Sequence, residues 1–243
     1  MTPIKLVVLD MAGTTIRDQK EVETCFAKTC KTVGLHVSDE RILALQGFSK
    51  IEVFQLLWSE VMDKNSAAYE QKVVDSYALF CQILEDHYEH AEVVPTEGCL
   101  ETLAFLQSKG IAIALNTGFY RKVANIILNK LGWLEGMNGD YYNPEGLINL
   151  SLTPSEVAKG RPAPDMIYKA MEVFNIQDPK QVIKIGDTPV DLEEGYNANC
   201  LLSLAVTNGT HSEAQLKGFK NDGLLSSISE LKNIILNLET AKV

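Results

Sequence analysis

Hydrophobic positions change period along this chain, and the changes outline its elements. Ile4 to Leu9 is an unbroken apolar stretch except for Lys5 and is rich in β-branched residues. It runs into Asp10 and the turn-prone Ala12-Gly13-Thr14, the pattern of a buried parallel strand that ends in a loop. Similar runs recur at Ile111 to Leu115, Val182 to Ile185 and Leu201 to Val206, with a weaker one near Leu147 to Leu152. Helical spacing separates them. Glu97 to Lys109 places apolar residues at Leu100, Leu103, Ala104 and Leu106 and stops at Gly110. Arg121 to Leu131, Asp165 to Phe174 and Asp191 to Ala198 read the same way. Strands alternating with helices imply an open parallel α/β sheet with right-handed crossovers.

Between the first and second strands, from about Ile16 to Val93, no strand pattern occurs. The periodicity there is helical over Glu21 to Val33, Asp39 to Leu45, Ile51 to Met62 and Ala67 to His90. A crossover loop is not that long, so the stretch reads as a small helical domain inserted after strand one. The expected division is 1–15 with 94–243 as the α/β core and 16–93 as the insert. Val94-Pro95-Thr96-Glu97-Gly98 is the expected point of return. The tail, Leu224 to Val243, reads as a helix that frays into polar residues.

Composition narrows the partners. Of 243 residues, 46% are hydrophobic, enough for a core. No run approaches the roughly 20 apolar residues that span a bilayer, and the start lacks the pattern of a signal peptide, so the expected location is the cytoplasm. A formal net charge of −10 disfavours nucleic acid and anionic membranes as partners. It also requires that a pocket for a phosphoryl group supply its own positive charge. The five cysteines are odd in number and form no C-x-x-C pair, which points to reduced thiols. His87 and His90 have a spacing that could hold a metal, although a solvated helix end explains them more simply.

Polar residues at strand ends carry the chemistry, because ligands of open α/β sheets bind there. Strand one ends in Asp10, strand two in Asn116-Thr117-Gly118, and strand four in Gly186-Asp187-Thr188, with Asp191 one helical step further. Lys159-Gly160-Arg161-Pro162-Ala163-Pro164-Asp165 forms a basic loop before a helix. Asp10 and Asp187 could share a hard cation such as Mg²⁺, and Asp10 could attack phosphorus to give an aspartyl phosphate. Each carboxylate near a phosphoryl charge adds about 4 kcal/mol of repulsion at roughly 4 Å in a surface-like dielectric. Mg²⁺ and Arg161 would have to offset it. Thr117 and backbone N–H groups around Ala12, Gly13 and Gly118 could cradle the phosphoryl oxygens.

D-x-A-G-T-T, N-T-G, G-R-P-A-P-D and G-D-T-x-x-D, in this order from Asp10 to Asp191, resemble the four motifs of the haloacid dehalogenase superfamily. The resemblance implies an α/β fold: a Rossmann-like parallel sheet core flanked by helices, with an inserted α-helical cap domain. It implies Asp10 as nucleophile, Thr117 as the phosphoryl-binding hydroxyl and Arg161 as the basic residue. Asp10, Asp187 and the Ala12 carbonyl would be magnesium ligands, with Asp191 a carboxylate behind them.

One departure is informative. Most phosphatases of that superfamily carry a second aspartate two residues after the nucleophile, which protonates the leaving alkoxide and is worth about 10² to 10⁴-fold. Here the position is Ala12. Either ester hydrolysis is slow, or the leaving group needs no proton from that position. D-M-A-G-T-T is similar to the nucleophile loop of the phosphonoacetaldehyde hydrolases and of phosphonatase-like hydrolases. In the former a cap lysine forms an imine with the substrate aldehyde, and carbon is the leaving group. Gln46-Gly47-Phe48-Ser49-Lys50-Ile51 resembles their cap loop, with Lys50 at the lysine's place. That lysine could form an imine, bind substrate as a cation, or be a solvated residue at a helix start. Val53, Phe119 and Gln46 replace the histidine, tyrosine and methionine of that family. The expected function is therefore magnesium-dependent cleavage of a C–P bond in phosphonoacetaldehyde or a related small phosphonate. The alternatives are hydrolysis of small phosphate esters or anhydrides, and binding of a phosphoryl ligand without catalysis. A homodimer formed through the cap is a further expectation from the resemblance.

Overall fold

The computed structural model describes residues 3–240. Side-chain alternation along strand β1 (Leu6–Leu9) decides where the two cores lie. Leu6 and Val8 join one hydrophobic cluster, Val7 and Leu9 the other, and all four are fully buried. A strand covered on both faces reads as a continuous apolar run, which is why it is visible in the sequence.

Five more strands complete one parallel sheet: β2 (Ala112–Asn116), β3 (Leu150–Leu152), β4 (Val182–Gly186), β5 (Leu202–Val206) and β6 (Gly223–Leu225). Their order is β3-β2-β1-β4-β5-β6. The chain thus winds outward from β1 to β3, then returns to place β4 on the other side of β1. That reversal leaves a crevice at the carboxyl ends of β1 and β4. The register aligns Leu9 with Leu115 on one side and Ile185 on the other. Asp10, Asn116 and Gly186 therefore emerge side by side.

Helices α1 (Glu21–Val33), α2 (Asp39–Ala44), α3 (Lys50–Val61) and α4 (Tyr69–His90) fill the stretch after β1. Phe26, Phe54 and Phe80, one from each of the three longer helices, pack together with ring centres 5.1 to 6.2 Å apart. Two adjacent chain segments link this helical stretch to the sheet. Arg17 N–H donates to Val94 O and Thr96 N–H to Thr15 O, both at 3.0 Å. Helix α4 also rests against α6 (Arg121–Lys130), where the Tyr120 hydroxyl donates to Glu85 at 2.7 Å.

The remaining helices, α5 (Cys99–Ser108), α7 (Asp165–Val173), α8 (Pro189–Asn197), α9 (Glu213–Leu216) and α10 (Leu231–Thr240), belong to the sheet region. Two expectations change. The tail is not helical from Leu224: Gly223 to Leu225 pair with β5, and Ser226 and Ser227 turn the chain through hydrogen bonds with Glu230 and Ser229 before α10 begins. Residues 241–243 of that expected helix lie outside the described residues. The strand near Leu147 is shorter than its apolar run, because the Asn149 side chain bonds three loop carbonyls at 3.0 to 3.2 Å. All five cysteines are free. Among the described residues no helix is long and apolar enough to cross a membrane.

Candidate active site

Period-two alternation places Asp10 in the crevice, where it is 4% exposed. Arg161, from the loop before α7, reaches it: Nη1 donates to Asp10 Oδ1 at 2.7 Å and also to Asp191 Oδ1. Asp191 lies in the first turn of α8, and its Oδ2 accepts from the Thr188 hydroxyl at 2.6 Å as part of the helix cap. Asp187 is fully buried at the end of β4. Its Oδ2 accepts from the Thr210 N–H at 2.6 Å, while its Oδ1 has no protein partner. Gly13, at φ +86°, lets the loop after Asp10 pass against this carboxylate, where any Cβ would collide. The Gly13 N–H donates to Ile16 O within the loop at 2.8 Å. Thr117, Gly118 and Ala12 line the cleft, and Thr117 Oγ1 accepts from the Phe119 N–H at 3.2 Å.

Behind this group lies a charge network that the sequence reading missed. Lys184 sits inside β4, is fully buried, and faces the same side of the sheet as Val182. Its Nζ meets Asp191 Oδ1 at 2.9 Å, Glu194 Oε2 at 3.2 Å and Asn116 Oδ1 at 2.6 Å. Asn116 in turn donates to both Glu194 oxygens at 2.8 and 2.9 Å. The available signal was one lysine in an otherwise apolar run, with acidic residues at i, i+3 on the following helix.

Four buried carboxyl groups, Asp10, Asp187, Asp191 and Glu194, are matched by two buried cations, Arg161 and Lys184. The imbalance shows in their acidity. Burial outweighs the Arg161 charge at Asp10 and raises it to about 6. Burial, then the Asp10 and Asp191 charges, push Asp187 far above the carboxylate range. Burial works against Asp191 too, but Arg161 and Lys184 override it and hold Asp191 below that range. Ligand atoms of Asp10, Asp187 and Asp191 lie within 4.8 Å of one another. Two surplus negative charges and an unpartnered Asp187 oxygen fit a hard divalent cation between Asp10 and Asp187. The Asp191 oxygens are already engaged by Arg161, Lys184 and Thr188. Among the described residues this is the one such cluster, and it does not include His87 or His90.

The opposite wall of the cleft comes from the helical stretch. Gln46, Phe48, Ser49 and Lys50 line it together with Tyr77, Phe80 and Leu84 of α4. Lys50 opens α3 and is 8% exposed. Its Nζ donates to Leu45 O at 3.1 Å and stands 5.7 Å from the Phe26 ring centre. Burial, then the Arg161 charge, lower its pKa to about 7. Lys50 therefore is not a solvated lysine. Val53 lies in the aromatic core one helical turn on, whereas Phe119 and Gln46 both line the cleft. Gly47, at φ +83°, brings this loop against the core, with its carbonyl beside Gly118 and its Cα facing Thr188 and Val190.

Comparison with known proteins agrees with this geometry. Residues 4–199 match a family model described as haloacid dehalogenase-like hydrolase. A phosphonoacetaldehyde hydrolase of Latilactobacillus sakei is 33% identical over 209 residues, covering 83% of this chain and 75% of the relative. One from Parabacteroides distasonis is 31% identical over 225 residues, covering 87% and 79%. A solved phosphonoacetaldehyde hydrolase-like protein from Oleispira antarctica superposes with a TM-score of 0.77 at 20% identity, covering 98% of this chain and 94% of its own.

Proposed function

This chain belongs to the haloacid dehalogenase-like hydrolases, and within that family we propose a phosphonatase, an enzyme that cleaves a C–P bond next to a carbonyl through an aspartyl phosphate on Asp10. The observation that carries the proposal is Lys50: a buried lysine with a depressed pKa, lining the cleft that also holds Asp10 and Arg161. An amine must be neutral to attack an aldehyde, and desolvation beside a guanidinium makes it so near neutral pH.

In this reading residues 16–93 act as a cap over a core of residues 1–15 and 94–243. The phosphoryl group lies against Thr117, Arg161 and the backbone of Ala12 and Gly118. Asp10, Asp187 and the Ala12 carbonyl would hold Mg²⁺, which when bound neutralises charge on the phosphoryl oxygens and on the nucleophile. Lys50 condenses with the aldehyde carbon and releases water. The resulting iminium accepts the electron pair as the C–P bond breaks and Asp10 takes the phosphoryl group. After cleavage, water hydrolyses the re-formed iminium and frees the product aldehyde and the Lys50 amine. Arg161, fixed by Asp191, keeps the Asp10 carboxylate aimed at phosphorus.

The relatives named above support a small phosphonate substrate, and the absence of a carboxyl group at Ala12 supports a carbon leaving group over an alkoxide. The test is chemical trapping. Phosphonoacetaldehyde and borohydride are expected to leave a reduced adduct on Lys50 and to inactivate the enzyme, with Lys50→Arg escaping both. Turnover of phosphonoacetaldehyde without any adduct would remove the imine and leave Lys50 as a cation that binds substrate.

A further inference from the structure

Three carboxyl groups line the cleft: Asp10, Asp187 and Asp18. The first two are taken up by the nucleophile and the carboxylate cluster. Asp18 lies between β1 and α1. Its Oδ2 accepts from the Thr210 hydroxyl at 3.1 Å, and the Thr210 N–H donates to Asp187, so one residue ties Asp18 to the cluster. Its Oδ1 accepts from the Lys20 N–H at 3.1 Å. Lys20 has a left-handed backbone, φ +69°, and the Glu21 carboxyl beyond it is close enough to raise the Asp18 pKa.

We propose that Asp18, backed by Glu21, is the acid and base of this cleft, a catalytic residue that carries the protons for which Ala12 has no carboxyl group. The other proton carriers there are poorly suited. Burial pushes the Tyr77 and Tyr120 hydroxyls well above their ordinary range, and Tyr120 is bonded to Glu85. Lys50 already donates to the Leu45 carbonyl at 3.1 Å. Burial and then Glu21 raise Asp18 to about 6, while Thr210 and the Lys20 amide pull the other way. Glu23 of α1 and Tyr88 of α4 are the further titratable groups that feel its charge. A carboxyl group in that range can both give and take a proton near neutral pH.

The proposal rests on Asp10 as nucleophile and not on the nature of the leaving group. As the bond to phosphorus breaks, its electron pair passes to the leaving group and phosphorus bonds to Asp10. The Asp18 proton goes to the leaving oxygen, or, for a carbon leaving group, to that carbon as the enamine returns its pair from nitrogen. Asp18 is left as carboxylate. Water then attacks the phosphorus of the aspartyl phosphate and gives a proton to Asp18. Asp10 carboxylate, Asp18 carboxylic acid and inorganic phosphate are restored.

The test compares Asp18→Asn with the wild type on acetyl phosphate, whose leaving carboxylate needs no proton, and on ethyl phosphate, whose alkoxide does. Phosphoenzyme on Asp10 is read by mass spectrometry after rapid quench. With acetyl phosphate the variant should form phosphoenzyme within about threefold of the wild-type rate but lose it about 10² to 10⁴-fold more slowly. With ethyl phosphate phosphoenzyme formation itself should fall by that factor. Asp18→Ala should regain phosphoenzyme hydrolysis when formate is added, which a structural role would not produce. Equal losses in formation on both substrates, or an unchanged phosphoenzyme lifetime, would overturn the assignment. These readouts do not involve a phosphonate. Failure to cleave phosphonoacetaldehyde therefore removes the C–P reading alone, and failure of the leaving-group dependence removes Asp18 alone.

Discussion

The two walls of the cleft are built on opposite electrostatic plans. On the sheet side, Lys184, Asp191, Glu194 and Asn116 are each held by at least two partners at 2.6 to 3.2 Å, Arg161 is held between Asp10 and Asp191, and the charged groups among them compensate one another. On the helical side, Lys50 has two backbone carbonyls and an aromatic ring for company, and Asp18 has a neighbouring carboxyl. Those groups are desolvated without a full counter-charge, so they sit at about 7 and about 6. In the proposed reaction the charged groups of the first wall keep their charge and hold Arg161 at the phosphoryl group, behind an Asp10 that burial raises to about 6. The other wall can exchange protons. Division of labour between a fixed and a titrating set is what covalent catalysis with proton transfer needs.

The strongest way to break the fixed wall is Lys184→Met. It leaves the Asp191 and Glu194 carboxylates buried beside each other with one partner fewer, a situation that typically costs about 3 to 5 kcal/mol. Thermal and urea unfolding should show that loss. Lys184→Met with Glu194→Gln removes one charge of each sign and should recover much of it, because the glutamine amide would still bond Asn116. A double variant no more stable than the single one would mean that Lys184 acts through packing, and the picture of a charge-balanced wall would fail.

How far these walls could be read from sequence follows from the same contrast. Asp10, Thr117 and Asp187 were legible because each ends an apolar run, and a parallel sheet has to collect such ends at one edge. Arg161 was legible through its motif. Lys184 was not, since a lone polar residue within a strand pattern does not reveal its partners, and those partners, Asn116 and Glu194, come from different elements. Asp18 was silent for another reason: it lies in an aperiodic connection, and its position depends on Thr210, nearly the whole chain away. Edge strand β6 escaped because three residues cannot display a period. Lys50 was found by resemblance; its burial and lowered pKa belong to the tertiary packing of Phe26 and Arg161 around it.

The titrating wall makes a prediction in pH. An ordinary lysine becomes neutral near 10.5, and burial with the Arg161 charge brings Lys50 down to about 7. The neutral amine is the form that condenses with an aldehyde, so the rate of borohydride-trapped adduct formation should rise with pH through about 7 and level off above it. A rise centred near the ordinary lysine value would mean that Lys50 is solvated in the working enzyme and that the contrast between the walls is absent in solution.

The smallest expected effect tests the contact between the walls. Gly47 holds φ +83°, and a Cβ there would meet Thr188 Oγ1 at 2.7 Å and Val190 at 3.0 Å. Thr188 is also the cap that positions Asp191. Gly47→Ala should therefore push the Gln46–Lys50 loop off the core while leaving each wall intact. Left-handed backbone costs a non-glycine residue about 1 to 2 kcal/mol, so the fully seated arrangement should be populated roughly 5 to 30-fold less. The loss should appear in kcat/KM for reactions that need Lys50 over the phosphoryl site. Phosphorylation of Asp10 by acetyl phosphate, which does not need Lys50, should change by about threefold or less. Equal losses in both reactions would show that Gly47 supports the sheet-side site through Thr188, and the two walls would then be one unit.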